Sequence, residues 1–243
     1  MLITGAVSAR EFGNTLAHFI EKNDAIQAYQ CLAHILAERT PFRLLDLIGE
    51  SIASCSPDQL NPFLDAIASQ KTEGGWVVIA SALKQGFSGN LDFILQTSRR
   101  YIIQADIWYA CDIFGERVIG TAILEYFEGA LRHLESWRID KNRWVRRSLG
   151  VAGHYWAKRT KDNPKRMEQA KMLLGFYQPM LGEKNIDAAK GIGWALKTFG
   201  RYNPEIVLEF LRSQIAQNTS ISTIIRRKAL KFIPLEMKAR LLE

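Results

Sequence analysis

The 243-residue sequence predicts an all-α fold in which short helical hairpins stack into an α-solenoid. Helix-start signals recur along the chain, and turn signals follow one another about every 15 to 20 residues. Between these signals, apolar residues recur at spacings of three and four, as on one face of a helix. A hairpin cannot cover its apolar face without a neighbour, so a succession of hairpins predicts stacking. An irregular α-bundle is the alternative.

The helix starts can be placed from capping residues. Two pairs fit capping boxes: Ser8 with Glu11, and Ser56 with Gln59. Three dipeptides place a capping side chain before a proline at the first helical position: Thr40-Pro41, Ser56-Pro57 and Asn203-Pro204. Apolar stripes are clearest near the two ends of the chain, in Phe12, Leu16, Phe19 and Ile20, and in Ile206, Val207, Phe210 and Leu211. The connections at 21–24, 70–75 and 161–164 are short and polar, which predicts one continuous domain over residues 1–243.

Composition excludes several classes of protein. Hydrophobic residues make up 47% of the chain and charged residues 23%, which favours a sizeable core over disorder. The longest apolar run, from Trp76 to Leu83, is too short to cross a bilayer, and the N-terminal residues lack a basic flank before an apolar stretch. We therefore expect a cytoplasmic protein with no membrane partner. Three cysteines without a CxxC pair, and four scattered histidines, predict neither disulfides nor a metal site.

Charge is distributed unevenly along the chain. Residues 1–98 carry 6 Lys+Arg against 10 Asp+Glu, whereas residues 99–243 carry 26 against 15. The sequence pI is about 9.4. Clustered cations gain affinity for a polyanion by displacing its counterions, so the basic segment predicts a phosphate-rich partner. A solvated basic surface without a ligand is the alternative.

The first chemically interesting segment contains Trp108 and Asp112. These residues are four positions apart, so they share one face of a helix and place an aromatic ring beside a carboxylate. A tryptophan on an amphipathic helix is more often a core residue, and Asp112 paired with a neighbouring arginine is the alternative to a catalytic carboxylate. Cys111 has no base nearby in the sequence, so we interpret it as a packing residue.

Two further segments combine cations with aromatic residues. Residues 142–159 interleave the two types, and Arg143 and Arg147 lie on one helix face. We interpret His154, in the same segment, as a packing residue because it lacks a partner for nucleophilic catalysis. In the third segment two glycines directly precede Trp194, which allows another helix to approach closely and fixes the place of the indole. These glycines do not resemble a phosphate loop, so no nucleotide cofactor is expected.

Five segments occur in the order and approximate spacing of the AlkD-type DNA alkylation repair glycosylases, a family with a HEAT-like (armadillo-type) fold. They are WYACD (Trp108–Asp112), WVRR (Trp144–Arg147), KGIGWALK (Lys190–Lys197), NPE (Asn203–Glu205) and IRRKALK (Ile225–Lys231). The resemblance covers residues 100–235, and residues 1–98 lack the family's usual early glycine- and glutamate-containing segments.

The resemblance implies a catalytic cleft formed by two tryptophans and one aspartate, with an arginine that supports DNA binding. These positions correspond to Trp108, Trp194, Asp112 and Arg147. The family often has Asp directly after the first tryptophan, where this sequence has Tyr109. This departure implies a changed edge of the pocket.

The implied activity is that of a DNA glycosylase in base excision repair, without a cofactor or metal. The substrate is duplex DNA carrying cationic N3- or N7-alkylated purines, which are good leaving groups. Asp112 would stabilise the oxocarbenium character that develops on the sugar, and the tryptophan faces would contact the cationic base. The base would stay in the stack rather than flip into a pocket. The alternatives are a non-catalytic HEAT-repeat protein that binds DNA structures and a protein-interaction scaffold.

The predicted DNA contacts are basic residues that largely line one face of the molecule: Arg143, Arg146, Arg147, Lys158, Arg159, Lys190, Lys197, Arg226, Arg227 and Lys231. We expect a monomer that associates with the nucleoid through DNA.

Overall fold

A computed structural model of the protein describes residues 3–88, 90–161 and 163–239, and it contains no β-strand within those ranges. The chain divides into two compact units, Met1–Val118 and Ile119–Glu243, which we call unit 1 and unit 2. The predicted all-α class is confirmed. The prediction of a single domain over residues 1–243 stays a prediction.

Unit 1 contains seven helices in its described part: α1 (Ala6–Glu21), α2 (Ala25–Ala37), α3 (Phe42–Ile52), α4 (Pro57–Ser69), α5 (Glu73–Lys84), α6 (Leu91–Ala105) and α7 (Trp108–Phe114). Alternate helices pack on one another, so that α1, α3, α5 and α7 form one row and α2, α4 and α6 a second. This arrangement is that of an α-solenoid of helical hairpins. A π-helical segment, Gly115–Gly120, follows α7.

Unit 2 contains eight helices in its described part: α8 (Thr121–Glu125), α9 (Phe127–Leu134), α10 (Arg143–Thr160), α11 (Met167–Tyr177), α12 (Ile186–Tyr202), α13 (Pro204–Ala216), α14 (Thr223–Ala229) and α15 (Leu235–Ala239). Helices α10, α12 and α14 pack in succession, and α11 packs against α13. The alternation of two rows therefore recurs in this unit.

The capping signals predicted the first residue of some helices correctly and of others incorrectly. Helices α4 and α13 begin at Pro57 and Pro204, as predicted. Helix α3 begins one residue late because Pro41 is its N-cap, and the Thr40 hydroxyl instead donates to the carbonyl oxygen of Ile35. The prediction for Ser8 was wrong: it is the third residue of α1, and its hydroxyl oxygen accepts the backbone N–H of Gly5.

Candidate nucleic-acid interface

Helix α7 starts abruptly, and this places Trp108 at its first position. Asp106 ends α6 in the left-handed conformation, with φ 46° and ψ 39°, which a short polar residue tolerates better than most. Ile107 is then extended as the N-cap of α7. The reversal leaves Trp108 at the N-terminus of a helix that is only seven residues long.

One face of α7 is anchored in the core of unit 1, and the other carries Trp108 and Asp112. The Phe114 ring lies 6.1 Å from the rings of both Trp76 and Tyr101. On the other face, Trp108 is 56% exposed and Asp112 is half-buried. Tyr109 packs edge-on against Trp108, with ring centroids 5.8 Å apart. The residue that departs from the family pattern therefore contacts the exposed indole directly.

The π-helical segment that follows α7 is held by an ion pair. The Arg117 Nε atom donates to the Asp46 carboxylate at 2.7 Å, and the Ser81 hydroxyl donates to the same carboxylate at 2.6 Å. Single π-helical turns inside α-helices are frequent near functional sites. The C-terminal side of α7 is thus fixed to α3 and α5.

In unit 2, α10 and α12 meet backbone against backbone. A Cβ atom on Gly150 would overlap the carbonyl carbon of Gly191, so neither position has room for a side chain. On the next helix, the Lys228 stem fills the space over Gly193, where a Cβ atom would lie 2.7 Å from Lys228 Cδ. The predicted close approach at the glycines before Trp194 is confirmed.

Trp194 is placed by His154. The two rings stack with centroids 4.1 Å apart and planes inclined by 21°. The Thr198 hydroxyl donates to the Trp194 carbonyl oxygen at 3.0 Å, so its oxygen accepts from Nδ1 of His154 at 2.7 Å. Burial, with Lys158 and Lys197 nearby, lowers the pKa of His154 to about 4. The imidazole is therefore neutral at physiological pH and covers one face of the indole.

Cations flank this stacked pair along two helices. The spacing of three and four residues places two stripes on adjoining faces: Arg143, Arg147, His154 and Lys158 on α10, and Lys190, Trp194, Lys197 and Arg201 on α12. Arg143 Nε lies 3.6 Å from an Asp187 carboxylate oxygen, and Arg147 donates to the Asp187 carbonyl oxygen at 3.2 Å. Trp194 thus lies within a basic surface, which we call the α10–α12 cationic face.

Five predicted DNA contacts lie outside this face: Arg227 and Lys231, which line a cavity together with Lys197, and three others. The Arg146 guanidinium pairs with Glu183 at 2.6 Å and is only 16% exposed. Burial opposes ionisation of Glu183, but hydrogen bonds from Arg146 and the backbone lower its pKa. Arg159 and Arg226 are exposed, but at about 100° of rotation per residue they point roughly opposite His154 and Lys228 on their helices. Arg146 therefore serves an ion pair within the protein, whereas DNA contact by Arg159 and Arg226 stays a prediction.

The six tryptophans of the chain differ sharply in burial. Trp76, Trp137, Trp144 and Trp156 are at most 6% exposed and belong to the core. Trp108 is exposed and Trp194 is half-buried. A core role therefore accounts for four tryptophans and leaves the two that the family resemblance singled out.

A family model described as DNA alkylation repair enzyme matches residues 55–233, most of the chain. The chain belongs to the DNA alkylation repair enzyme family. No curated protein matches it. The match begins well before residue 100, so the family pattern extends into the N-terminal segment in which no motif was recognised.

Within this DNA alkylation repair enzyme, several features of the candidate interface were missed from the sequence. The role of His154 depends on Trp194, which lies on another helix, and Lys228 acquires its position from Gly193. Arg201 continues the stripe of Lys197 at a spacing of four, a signal that was visible in the sequence. Within residues 3–88, 90–161 and 163–239, no group of His, Cys, Asp and Glu suits a metal ion, and no helix is long and apolar enough to span a membrane.

Proposed function

We propose that this DNA alkylation repair enzyme is a DNA glycosylase that excises cationic N3- or N7-alkylated purines from duplex DNA without flipping the base. The main observation in support of this proposal is that, of the six tryptophans, only Trp108 and Trp194 have surface available to a ligand. Membership of a family of alkylation repair enzymes supplies the kind of substrate.

The proposed chemistry uses the positive charge of the lesion. Alkylation makes the purine a good leaving group, and breaking the glycosidic bond develops oxocarbenium character on the deoxyribose. Asp112 stabilises that charge electrostatically and orients the attacking water. The exposed face of Trp108 contacts the cationic base or sugar, because an indole is the best aromatic partner for a cation.

Unit 2 contributes to DNA binding in this proposal. The α10–α12 cationic face supplies phosphate contacts through Arg147, Lys190 and Lys197, and the uncovered face of Trp194 contacts DNA. Phosphate contacts orient a protein on the duplex and carry no sequence information. Selection then depends on the lability and charge of the lesion.

The deciding experiment is single-turnover release of 7-methylguanine or 3-methyladenine by wild type and Asp112→Asn. We expect excision to fall about 10²- to 10³-fold, roughly 3 to 4 kcal/mol, with DNA affinity and melting temperature nearly unchanged. Asp58→Asn is the matched control because Asp58 is an exposed carboxylate in the first turn of α4. A stable Asp112→Asn protein with unimpaired excision would refute the assignment.

Tyr109 supports a second candidate, a protein that binds DNA structures without excising bases. Its ring packs against Trp108 where the resembled family often has a carboxylate. Such a protein would bind duplex DNA in wild type and in Asp112→Asn alike, and would release no base in either form. A protein-interaction scaffold would instead show little salt-dependent affinity for DNA.

A further inference from the structure

Unit 2 contains a cavity of about 230 Å³ between the end of α10 and the beginnings of α11 and α13. Its lining combines an apolar side with a polar side that carries two cations and an amide: Trp156, Met167, Ala170, Lys161, Arg166 and Asn203. None of the described residues that line it carries a carboxylate. The cavity therefore suits a ligand that is negatively charged at one end and apolar at the other.

This cavity is separate from the α10–α12 cationic face. Successive residues of a helix are rotated by about 100°, so Trp156 points roughly opposite His154 around α10. The stacked rings and the cavity therefore lie on different sides of the same helix.

Trp156 has a hydrogen-bond donor that the protein does not satisfy. The residue is 1% exposed, and its buried Nε1–H has no acceptor among the described residues. The rings of Phe127 and Phe199 pack against the indole, with centroids 5.9 and 5.8 Å away, and neither offers an acceptor. A buried donor without a partner costs about 1 to 3 kcal/mol. The cavity is the space from which an external acceptor can approach this indole.

Arg166 and Asn203 also keep donors available to a ligand. Within the described part of the chain, only Nη1 of Arg166 is engaged: it donates to Oε1 of Gln169 at 2.7 Å and to the Leu124 carbonyl oxygen at 3.4 Å. Asn203 is the N-cap of α13, yet its side chain forms no capping hydrogen bond. The first N–H groups of α13 therefore receive no side-chain acceptor from their N-cap, and a helix N-terminus favours an anion.

We propose that this cavity binds a small organic carboxylate with a compact apolar body. The carboxylate oxygens accept from Arg166, Asn203 and the Trp156 indole, because a guanidinium binds a carboxylate through two parallel hydrogen bonds. Met167 and Ala170 contact the apolar body. The volume is well above the roughly 30 Å³ that one water molecule takes up in the liquid, so several non-hydrogen atoms fit. The inference does not depend on the proposed function.

The test compares benzoate with benzamide, which have the same shape and differ in charge. Proton–nitrogen correlation spectra of the whole chain follow the indole N–H signals, and Trp156→Phe identifies the signal of Trp156. We expect benzoate to move that signal downfield in a saturable way, because the N–H gains a charged acceptor, and benzamide to leave it nearly unchanged. Arg166→Gln should weaken benzoate binding about ten-fold or more, since it removes a hydrogen-bonded charge.

Two further variants complete the comparison. Arg212→Gln is the matched control, because it removes an exposed arginine of α13 that does not line the cavity, and it should leave benzoate binding unchanged. Asn203→Ala removes a side chain that caps nothing, so it tests the cavity even if Arg166→Gln fails to fold, and it should weaken benzoate binding several-fold. The rise in melting temperature with benzoate is a second measurement, which does not require Trp156→Phe.

Three results would overturn the proposal. Absence of saturable benzoate binding would mean that only solvent occupies the cavity. Equal binding of benzoate and benzamide, or equal benzoate affinity in wild type, Arg166→Gln and Asn203→Ala, would remove the role of the charge and of these contacts. Inorganic phosphate that moves the Trp156 signal with an affinity equal to that of benzoate would show a simple anion site, in which the apolar side has no part.

Discussion

At the scale of single residues, Trp194 illustrates how one side chain is held by groups from two helices. His154 on α10 covers one face of the indole, and Thr198 on α12 connects the imidazole to the Trp194 backbone. Only the other face remains for a ligand. The orientation of this tryptophan therefore depends on the imidazole remaining neutral between Lys158 and Lys197.

The protonation of His154 predicts how stability changes with pH. Folding lowers the pKa of this histidine from 6.5 to about 4, so the unfolded chain binds the proton more readily between these values. Stability associated with the neutral form is complete above about pH 6.5 and is lost as pH falls through about 4. We expect His154→Gln to make the melting temperature depend less on pH over this range.

The exposed histidine His34 supplies the control for that measurement. Carboxylates also titrate in acid, so the comparison of pH slopes isolates the contribution of one imidazole. His34→Gln should reproduce the wild-type slope. Equal slopes in His154→Gln and wild type would contradict the assigned role of His154.

At the scale of helices, the crossing of α10 and α12 determines where the cations lie. Gly150 and Gly191 let the two backbones touch, and this aligns His154 with Trp194 and Arg147 with Asp187. Larger residues at the crossing would separate the helices and disturb the stacked rings. The glycines therefore determine how the surface residues of α10 and α12 are arranged, because they set the distance between the two helices.

A single methyl group tests this crossing. We expect Gly150→Ala to lower the free energy of unfolding by about 1 to 3 kcal/mol or more, because its Cβ would meet the backbone of Gly191. Gly175→Ala on α11 is the matched control, since nothing lies within 4 Å of its Cβ, and it should stabilise the protein by about 0.5 to 1 kcal/mol. Denaturant unfolding measures both. Similar stability in the two variants would show that the helices can separate without cost.

Local signals predicted helices well and contacts between helices less well. Ser56-Pro57 and Asn203-Pro204 marked true helix starts because a proline at the first helical position needs no distant partner. The glycines before Trp194 predicted a close approach because a residue without a side chain leaves room for a neighbouring helix, although the sequence did not identify that helix. Arg146 was assigned to DNA because its partner, Glu183, lies 37 positions away and no local pattern links the two. His154 was interpreted as a packing residue, but local sequence could not identify Trp194 as its stacking partner or Gly193 as the neighbour of Lys228.

At the scale of the whole molecule, charge is segregated between the two units. Unit 1 carries 9 Lys+Arg against 13 Asp+Glu, whereas unit 2 carries 23 against 12. The boundary of the units therefore coincides with a change from net negative to net positive charge. A polyanion is attracted to unit 2 over distances of about 10 Å at moderate salt, before any contact forms.

This segregation predicts that removing lysine charges will affect DNA binding in unit 2 but not in unit 1. The double variant Lys190→Gln/Lys197→Gln should weaken duplex binding and reduce the salt slope by about 1.8. The double variant Lys22→Gln/Lys71→Gln removes the same charge from exposed positions of unit 1 and should leave the slope unchanged. Binding titrations over a range of salt concentrations decide the matter. Equal losses in both variants would mean that net charge, and not its location, controls binding.

The contact between Gly150 and Gly191 also bears on the entropy of binding. Where backbone meets backbone, no side-chain rotamers lie between the helices, so the distance between the Arg147 and Trp194 main chains cannot adjust by repacking. The backbone freedom at Arg147 and Trp194 is therefore lost when the protein folds, before any ligand binds. A ligand that binds this surface therefore contacts groups whose spacing is already fixed, so binding costs less conformational entropy.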